Sequence, residues 1–316
     1  MLPNFRHVRV GLLAAIALAS ASAGSEPLVV RQGTPHEAFF GMTFDAGLGI
    51  AVGTGGVITS KDGGATWQPE AVPGRSALFA VASRDGRALA VGQNGTILSR
   101  DASGHWTAAD AGSQSRLFAV DIDSGGSALA VGAFGTILCS GDGGAHWSSC
   151  APDWSKGLTE QGAQPHLYGV SFTRDGAAIV VGEFGLVLRT SDAGRTWSVT
   201  HRGESSLFAV DVASDGVGYA VGQDGEIVRT ADAGLTWSKL DSGSRANLLA
   251  VRRLSSGHIV VCAMREMLES ADGSTWRRLE WGDFSSGWYS TVAAADNGSA
   301  VPLVAGYSGR IVKLDR

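Results

Sequence analysis

Six of the nine tryptophans, Trp67, Trp106, Trp147, Trp197, Trp237 and Trp276, recur at intervals of 39, 41, 50, 40 and 39 residues. A period of this length restricts the chain to a repeat architecture, because each unit is too small to bury an apolar face without a neighbour. Each Trp closes the same short text. Ser60 to Trp67 reads Ser-Lys-Asp-Gly-Gly-Ala-Thr-Trp, and Ser140 to Trp147, Thr190 to Trp197 and Thr230 to Trp237 repeat it around Asp142, Asp192 and Asp232. The copy around Asp101 has its glycine at Gly104, and the copy around Asp272 is one residue short. These Asp boxes read as hairpin turns. The carboxylate accepts backbone hydrogen bonds, glycine supplies positive φ, and the indole is expected to bury between neighbouring sheets. Asp62, Asp101, Asp142, Asp192, Asp232 and Asp272 are therefore assigned to turn stabilisation rather than to acid or base chemistry.

The rest of the unit lies upstream of each box. Leu78-Phe-Ala-Val81 recurs at Leu117, Leu167, Leu207 and Leu248, and Val91-Gly92-x-x-Gly95 recurs at Val52, Val131, Val181 and Val221. Each unit thus predicts four short strands, A to D, with Asp85-Gly86, Asp175-Gly176 and Asp215-Gly216 as A to B turns. The sixth unit, around Val261 and Cys262, has lost both glycines, and a seventh, Ala305-Gly306 to Gly309, stops after its third strand. Leu28 to Gln32 is an unassigned strand able to supply the missing edge. The expected fold is an all-β, seven-bladed propeller with four antiparallel strands per blade, the N-terminal strand closing the last one. Radial closure leaves only short sheet edges. Residues 24–316 shared among seven units leave about 42 each, near the blade length of known propellers. Glycine at 45 of 316 residues, with only 8 prolines, fits a chain dense in tight turns.

Residues 1–23 read as a secretory signal peptide: Arg6, His7 and Arg9 precede the apolar run Val10 to Ala19, and small residues follow to Ala23. The apolar run is about half the length that a bilayer span needs. The expectation is a single exported domain, 24–316, in a periplasm. Cys139 and Cys150 flank a predicted hairpin and are either a disulfide, which an oxidising compartment permits, or two thiols. Cys262 lies in an apolar strand and reads as a buried, inert thiol. A net charge of -5 argues against nucleic acid as a partner.

The full unit, Leu-Phe-Ala-Val, then Ala-Val-Gly-x-x-Gly-x-Ile, then Thr-x-Asp-Ala-Gly-x-Thr-Trp, resembles the repeat of the photosystem II stability/assembly factor family. That resemblance implies a non-enzymatic propeller, without cofactor, that binds a membrane-protein client through a patch containing arginines. In the family an arginine often stands just before strand A. Arg116 fits that position, His166 takes it in blade four, Arg75 and Arg245 stand slightly upstream in theirs, and Glu204 interrupts the series in blade five. In a propeller the D to A and B to C connections open on one face, so these residues should gather near the channel mouth. Phe134 and Phe184 at the B to C tips belong to that face, either as contact residues or as caps over adjacent blades. The insertion from Ala151 to Pro165 is either a recognition loop or padding. A monomer is expected.

The competing reading is a sialidase-like or other glycosidase, or a glycan-binding propeller. Glycosidases need two carboxylates flanking a cleft. Outside the turns only Asp121 and Asp211 recur, and bonding between strands suits them better. Tyr168, Tyr219, Tyr289 and Tyr307 sit in no nucleophile motif, and no metal-ligand or Ser-His-Asp constellation appears.

Overall fold

Short aliphatic runs broken by glycine turns leave each repeat only a meander of short strands. The computed structural model describes residues 27–159, 162–173, 176–295 and 301–314, and in it seven four-stranded antiparallel sheets stand around a central axis. Blade 3 is representative, with strands Leu117–Ile122, Ala128–Gly132, Ile137–Ser140 and Ser148–Ser149 from the axis outward. Its second strand, Ala-Leu-Ala-Val-Gly, is buried at every position, as are Ala178–Gly182, Gly218–Gly222, Ile259–Ala263 and Pro302–Gly306. A strand covered by a sheet on each side must be apolar on both faces, which is why these segments do not alternate. Residues 1–23, assigned to a leader, lie outside the described residues, as does Asp175 of the blade 4 turn. Asp85 and Gly86 both hold positive φ, as a two-residue hairpin turn of the primed type requires.

The ring is closed by the N-terminal strand. Leu28–Arg31 pairs antiparallel with Ile311–Lys313, so blade 7 takes its outer strand from the start of the chain and its other three from the end. Arg31 secures the joint: it donates to Gly309 O at 2.5 Å, pairs with Glu37 at 3.3 Å and lies over the Phe39 ring at 5.1 Å.

Between blades, the Asp boxes fix the outer turns. Asp192 Oδ1 accepts from Thr190 Oγ1 (2.8 Å) and Thr196 N (2.8 Å), and Oδ2 accepts from Thr196 Oγ1 (2.6 Å). Asp62 and Asp232 repeat the arrangement with Ser60 and Thr66 and with Thr230 and Thr236. In Asp142 the distal partner is His146, in Asp101 Ser103 and His105, and in Asp272 Ser274 and Thr275. The six indoles pack toward the preceding blade: Trp67 reaches Leu303 of blade 7, and Trp276 stands edge-on to Tyr219 of blade 5 at 6.0 Å. Trp67 and Trp106 are buried, whereas Trp147, Trp197, Trp237 and Trp276 are half-buried. All six lie in the seams between neighbouring blades, as expected.

Cys139 and Cys150 are joined as a disulfide, Cα to Cα 5.8 Å, linking strand C of blade 3 to the end of strand D. It packs beneath the next box, where a Cβ on Gly194 would stand 2.6 Å from Cys139 Sγ. Cys150 O also accepts from Trp197 Nε1 at 2.9 Å, across the blade 3 to blade 4 boundary. Cys262 is buried, and burial pushes its thiol well above the ordinary value.

Two outcomes follow from these contacts. Arg31→Ala should lower stability by about 1–2 kcal/mol through loss of a charge-assisted bond at the closure, read as a lower urea midpoint; an unchanged midpoint would show that the ring closes without it. The hydroxyl and amide donors of Thr66, Thr196 and Thr236 hold Asp62, Asp192 and Asp232 at about 2. Because these values lie below the ~3.9 of an unfolded Asp, the boxes contribute fully above that pH and lose their contribution as the pH falls toward 2. The urea midpoint should therefore drop between pH 5 and pH 2.5, and less steeply in Asp192→Asn than in the wild type.

Candidate functional site

Seven hydrogen bonds of one kind build the face on which the D to A and B to C connections open. In each blade the first residue after strand B donates its N–H to the carbonyl just before strand A: Thr54 to Ala38, Gln93 to Ala77, Ala133 to Arg116, Glu183 to His166, Gln223 to Ser206, Met264 to Asn247 and Tyr307 to Trp288. The chain approaches so closely there that a Cβ on Gly92 or Gly132 would fall 2.1 Å from the facing carbonyl oxygen. This contact accounts for the first glycine of the Val-Gly-x-x-Gly text.

The residues just before strand A therefore form the inner rim: Ala38, Ala77, Arg116, His166, Ser206, Asn247 and Trp288. One residue into the strand, every A to B ladder shifts register between its first and third positions, as between Leu117 and Ala119. A bulge of this kind re-aims a side chain out of the normal alternation. Here the first residue enters the core between blades, and the second, Phe40, Phe79, Phe118, Tyr168, Phe208, Leu249 or Ser290, remains half-buried. Five of these seven are aromatic, and they touch around the axis. The centroid spacings are 5.6 Å for Phe40–Phe79, 6.3 Å for Phe79–Phe118, 5.5 Å for Phe118–Tyr168 and 5.4 Å for Tyr168–Phe208. Trp288 extends the chain of rings, stacking on Phe40 at 6.0 Å with planes 8° apart.

Two of the residues expected at this mouth, His166 and Phe134, meet, and a third, Arg116, lies over a neighbouring ring of the collar. Arg116 is exposed, and its guanidinium lies 5.9 Å from the Phe79 centroid. His166 stands against Phe134 (4.9 Å), Phe118 (6.2 Å) and Tyr168 (6.3 Å). Its Nδ1 accepts the Phe134 N–H at 3.1 Å, a role open to neutral imidazole and closed to imidazolium. Asn247 Oδ1 occupies the same relation to Asp224 N in blades 5 and 6, at 3.5 Å, so His166 also pins the neighbouring tip. Glu183 joins the cluster, accepting from His166 N at 2.8 Å and from Tyr168 OH at 3.4 Å. Burial, then the Glu183 charge, raises the Tyr168 phenol above its usual value.

Arg75, Arg245 and Phe184 are not part of this contact network. Arg75 and Arg245 are exposed on connections leading to blades 2 and 6, neither of which borders the His166 blade. Exposed Asp110, Glu204, Asp224 and Asp241 interrupt the arginines, so they form no continuous basic patch. Phe184, 62% exposed, borders a cavity of about 540 Å³ with Leu186, Arg202 and Glu204. The insertion is anchored by Trp154, buried beneath Gly135, and by Leu158 O, which accepts from Arg202 Nη2 at 2.5 Å.

The B to C tips share a left-handed residue. Asn94, Phe134, Phe184, Asp224 and Ser308 have φ between 52° and 59°, and Arg265 has 60°. Asn and Asp adopt this region readily, whereas a bulky side chain does so at a cost. Phe134 and Phe184 are 66% and 62% exposed, so burial does not offset that cost.

At the fifth position of strand A the wall turns polar, toward the opposite mouth. Asp121 Oδ2 accepts from Phe172 N (2.8 Å), Ser171 Oγ accepts from Val212 N (3.2 Å) and Asp211 Oδ2 accepts from Arg253 N (2.7 Å), each bond crossing to the next blade. These groups, with Arg84 and Arg252, line a bowl of about 380 Å³. Burial raises the Asp121 carboxyl above its usual range, against the pull of its two backbone donors and of Arg84 and Arg252. The two carboxylates that recur outside turns thus stitch strands together.

Residues 98–204 match the sequence profile of the family described as Photosynthesis system II assembly factor YCF48. The match runs from strand C of blade 2 to the end of blade 4 and includes Arg116, Phe118, Phe134, His166, Tyr168 and Phe184. No curated protein sequence matches the chain. Among solved structures, YCF48 from Cyanidioschyzon merolae is 19% identical, with a TM-score of 0.72 over 92% of this chain and 98% of that one. A structure entitled YCF48 bound to D1 peptide is 16% identical, with a TM-score of 0.70 over 92% and 95%. The Cps50 (Swd1) propeller domain of Myceliophteria thermophila reaches 0.72 over 92% and 99% at 11% identity. Likeness of fold therefore does not separate these proteins, whereas the profile match picks out the photosystem II assembly factor repeat that the sequence resembles.

The strained tips give a prediction with an unusual sign. Phe184→Asn should raise stability by about 0.5–1 kcal/mol, since Asn tolerates left-handed φ and the ring has little burial to lose. Phe134→Asn should gain less, because it gives up the ring contact with His166. A lower urea midpoint for Phe184→Asn would contradict the assignment of strain.

Proposed function

We propose, from a chain whose residues 98–204 carry the repeat of the photosystem II assembly factor family, that the protein is a non-enzymatic binder of a membrane-protein client, acting in its assembly or stability. The observation that carries this reading is that the matched segment supplies an arginine, a histidine and an exposed aromatic ring at one mouth of the channel. A YCF48 of the same fold is known bound to a D1 peptide, which supports a polypeptide segment as the ligand. The docking face is the one bearing the D to A and B to C connections, with Arg116, His166, Phe134 and Phe184 as contacts and Arg75 and Arg245 as outlying cations. Exposed aromatics beside arginine are the composition of energetic centres in protein interfaces.

The leader from Met1 to Ala23 and the disulfide between Cys139 and Cys150 support export to a periplasm, or to a thylakoid lumen where the host has one. The working unit is a monomeric propeller, with its sheet edges short and radial. Turnover of glycans is disfavoured because the six box carboxylates each accept turn hydrogen bonds, and Asp121 and Asp211 bond to neighbouring strands.

Affinity capture from membranes of the native host tests this reading with the wild type, Arg116→Ala and Arg245→Ala. The expected result is recovery of a defined membrane protein, cut at least fivefold by Arg116→Ala and less by Arg245→Ala. Retention on immobilised glycans, or hydrolysis of a sialoside or aryl glycoside, would favour a carbohydrate-active protein instead.

A further inference from the structure

The proposed docking face leaves one feature without a role: seven repeated bulges that turn five aromatic rings into the channel. An interior that needed only closure would be served by the small residues that already occupy the third position, Gly41, Ala80, Ala119, Gly169, Ala209 and Ala250. Instead the rings form a connected wall from Trp288 through Phe40, Phe79, Phe118 and Tyr168 to Phe208, each retaining solvent-accessible surface. A contiguous, half-buried aromatic surface of this kind is suited to binding an apolar group. We propose that this collar receives a single apolar side chain from an extended segment of the client, with Arg116 holding a carboxylate beside it.

The size of the occupant follows from the strand. Aromatic residues stand at the second position and the charged wall of Asp121, Asp211 and Arg252 begins at the fifth, three residues or about 10 Å deeper. That depth accommodates one Phe, Leu or Trp side chain and stops a longer apolar insertion. Its charge follows from Arg116. The guanidinium has no carboxylate within bonding distance among the described residues, whereas Arg31, Arg100, Arg253, Arg277, Arg278 and Arg310 each have one. Held over Phe79, it faces a carboxylate arriving with the apolar group. A polypeptide is favoured over a lipid surface because exposed Asp110, Glu204, Asp224 and Asp241 share the face and would be repelled by anionic headgroups.

This inference rests on the docking reading, and the test keeps the two apart. A photoreactive p-benzoylphenylalanine is placed in the full chain, singly, at Phe184 on the rim and at Phe118 or Phe208 in the collar, and the purified proteins are illuminated with membranes of the native host. Crosslinks from all three positions to one segment of one client are expected. Crosslinks from Phe184 alone would retain the docking face and overturn the collar, and none from any position would overturn both. The chemistry of the occupant is read with two dyes, anionic 1-anilinonaphthalene-8-sulfonate and its uncharged parent N-phenyl-1-naphthylamine. Phe118→Ala should weaken both, and Arg116→Gln should weaken the anionic dye about tenfold while leaving the neutral one within twofold. Equal binding of both dyes by wild type and variants would overturn the proposal. Arg116 is exposed, so its variant keeps the test valid if Phe118→Ala unfolds, and the thermal midpoint of each variant reports that directly.

Discussion

Closure of the ring is the constraint on which the other features depend. Each blade has two apolar faces and only its neighbours to cover them, so an open array would expose an entire sheet at each end. The short pairing of Leu28–Arg31 with Ile311–Lys313 prevents this, and Arg31 ties the strand to Gly309 and Glu37 on the same joint. Once the ring is closed, strand A of every blade must face the axis, and the seven bonds from the B to C tips fix the rim around it. The rim, the collar and the polar bowl beneath it are consequences of one topological event at the termini.

Much of this was legible in the sequence because repetition and turn chemistry are local signals. The Trp spacing gave the repeat, the Asp-Gly and Gly-x-x-Gly texts gave the turns, and the missing fourth strand of the last unit pointed to Leu28 as its replacement. Of the residues expected at one mouth, His166 and Phe134 are in contact and Arg116 lies over the Phe79 ring. The indoles, expected between neighbouring sheets, pack there, two buried and four half-buried. The role of His166 as acceptor for the Phe134 amide depends on a neighbouring blade's tip 32 residues away.

The collar depends on a departure from regular strand geometry. Leu-Phe-Ala-Val predicts a strand, and in a regular strand adjacent side chains point to opposite faces. Two large apolar residues in succession, as in Leu117-Phe118, already depart from the alternation of a strand with one wet face, and that departure is the signature of the bulge. The strain at Phe134 and Phe184 was invisible for a similar reason. A Phe at a tip looks like an apolar substitution for Asn94 or Asp224 until its backbone is seen at φ of 54° and 59°.

In the proposed function this face, and not the polar bowl or the outer strands, meets the client. Hydrogen exchange measured with and without the purified client addresses it most directly. Slowed exchange should concentrate in residues 116–121, 132–136 and 166–172, where the rim, the Phe134 tip and the collar strands lie. Slowed exchange confined to the A to B turns, such as 123–127 and 213–217, or to the outermost strands would contradict the account.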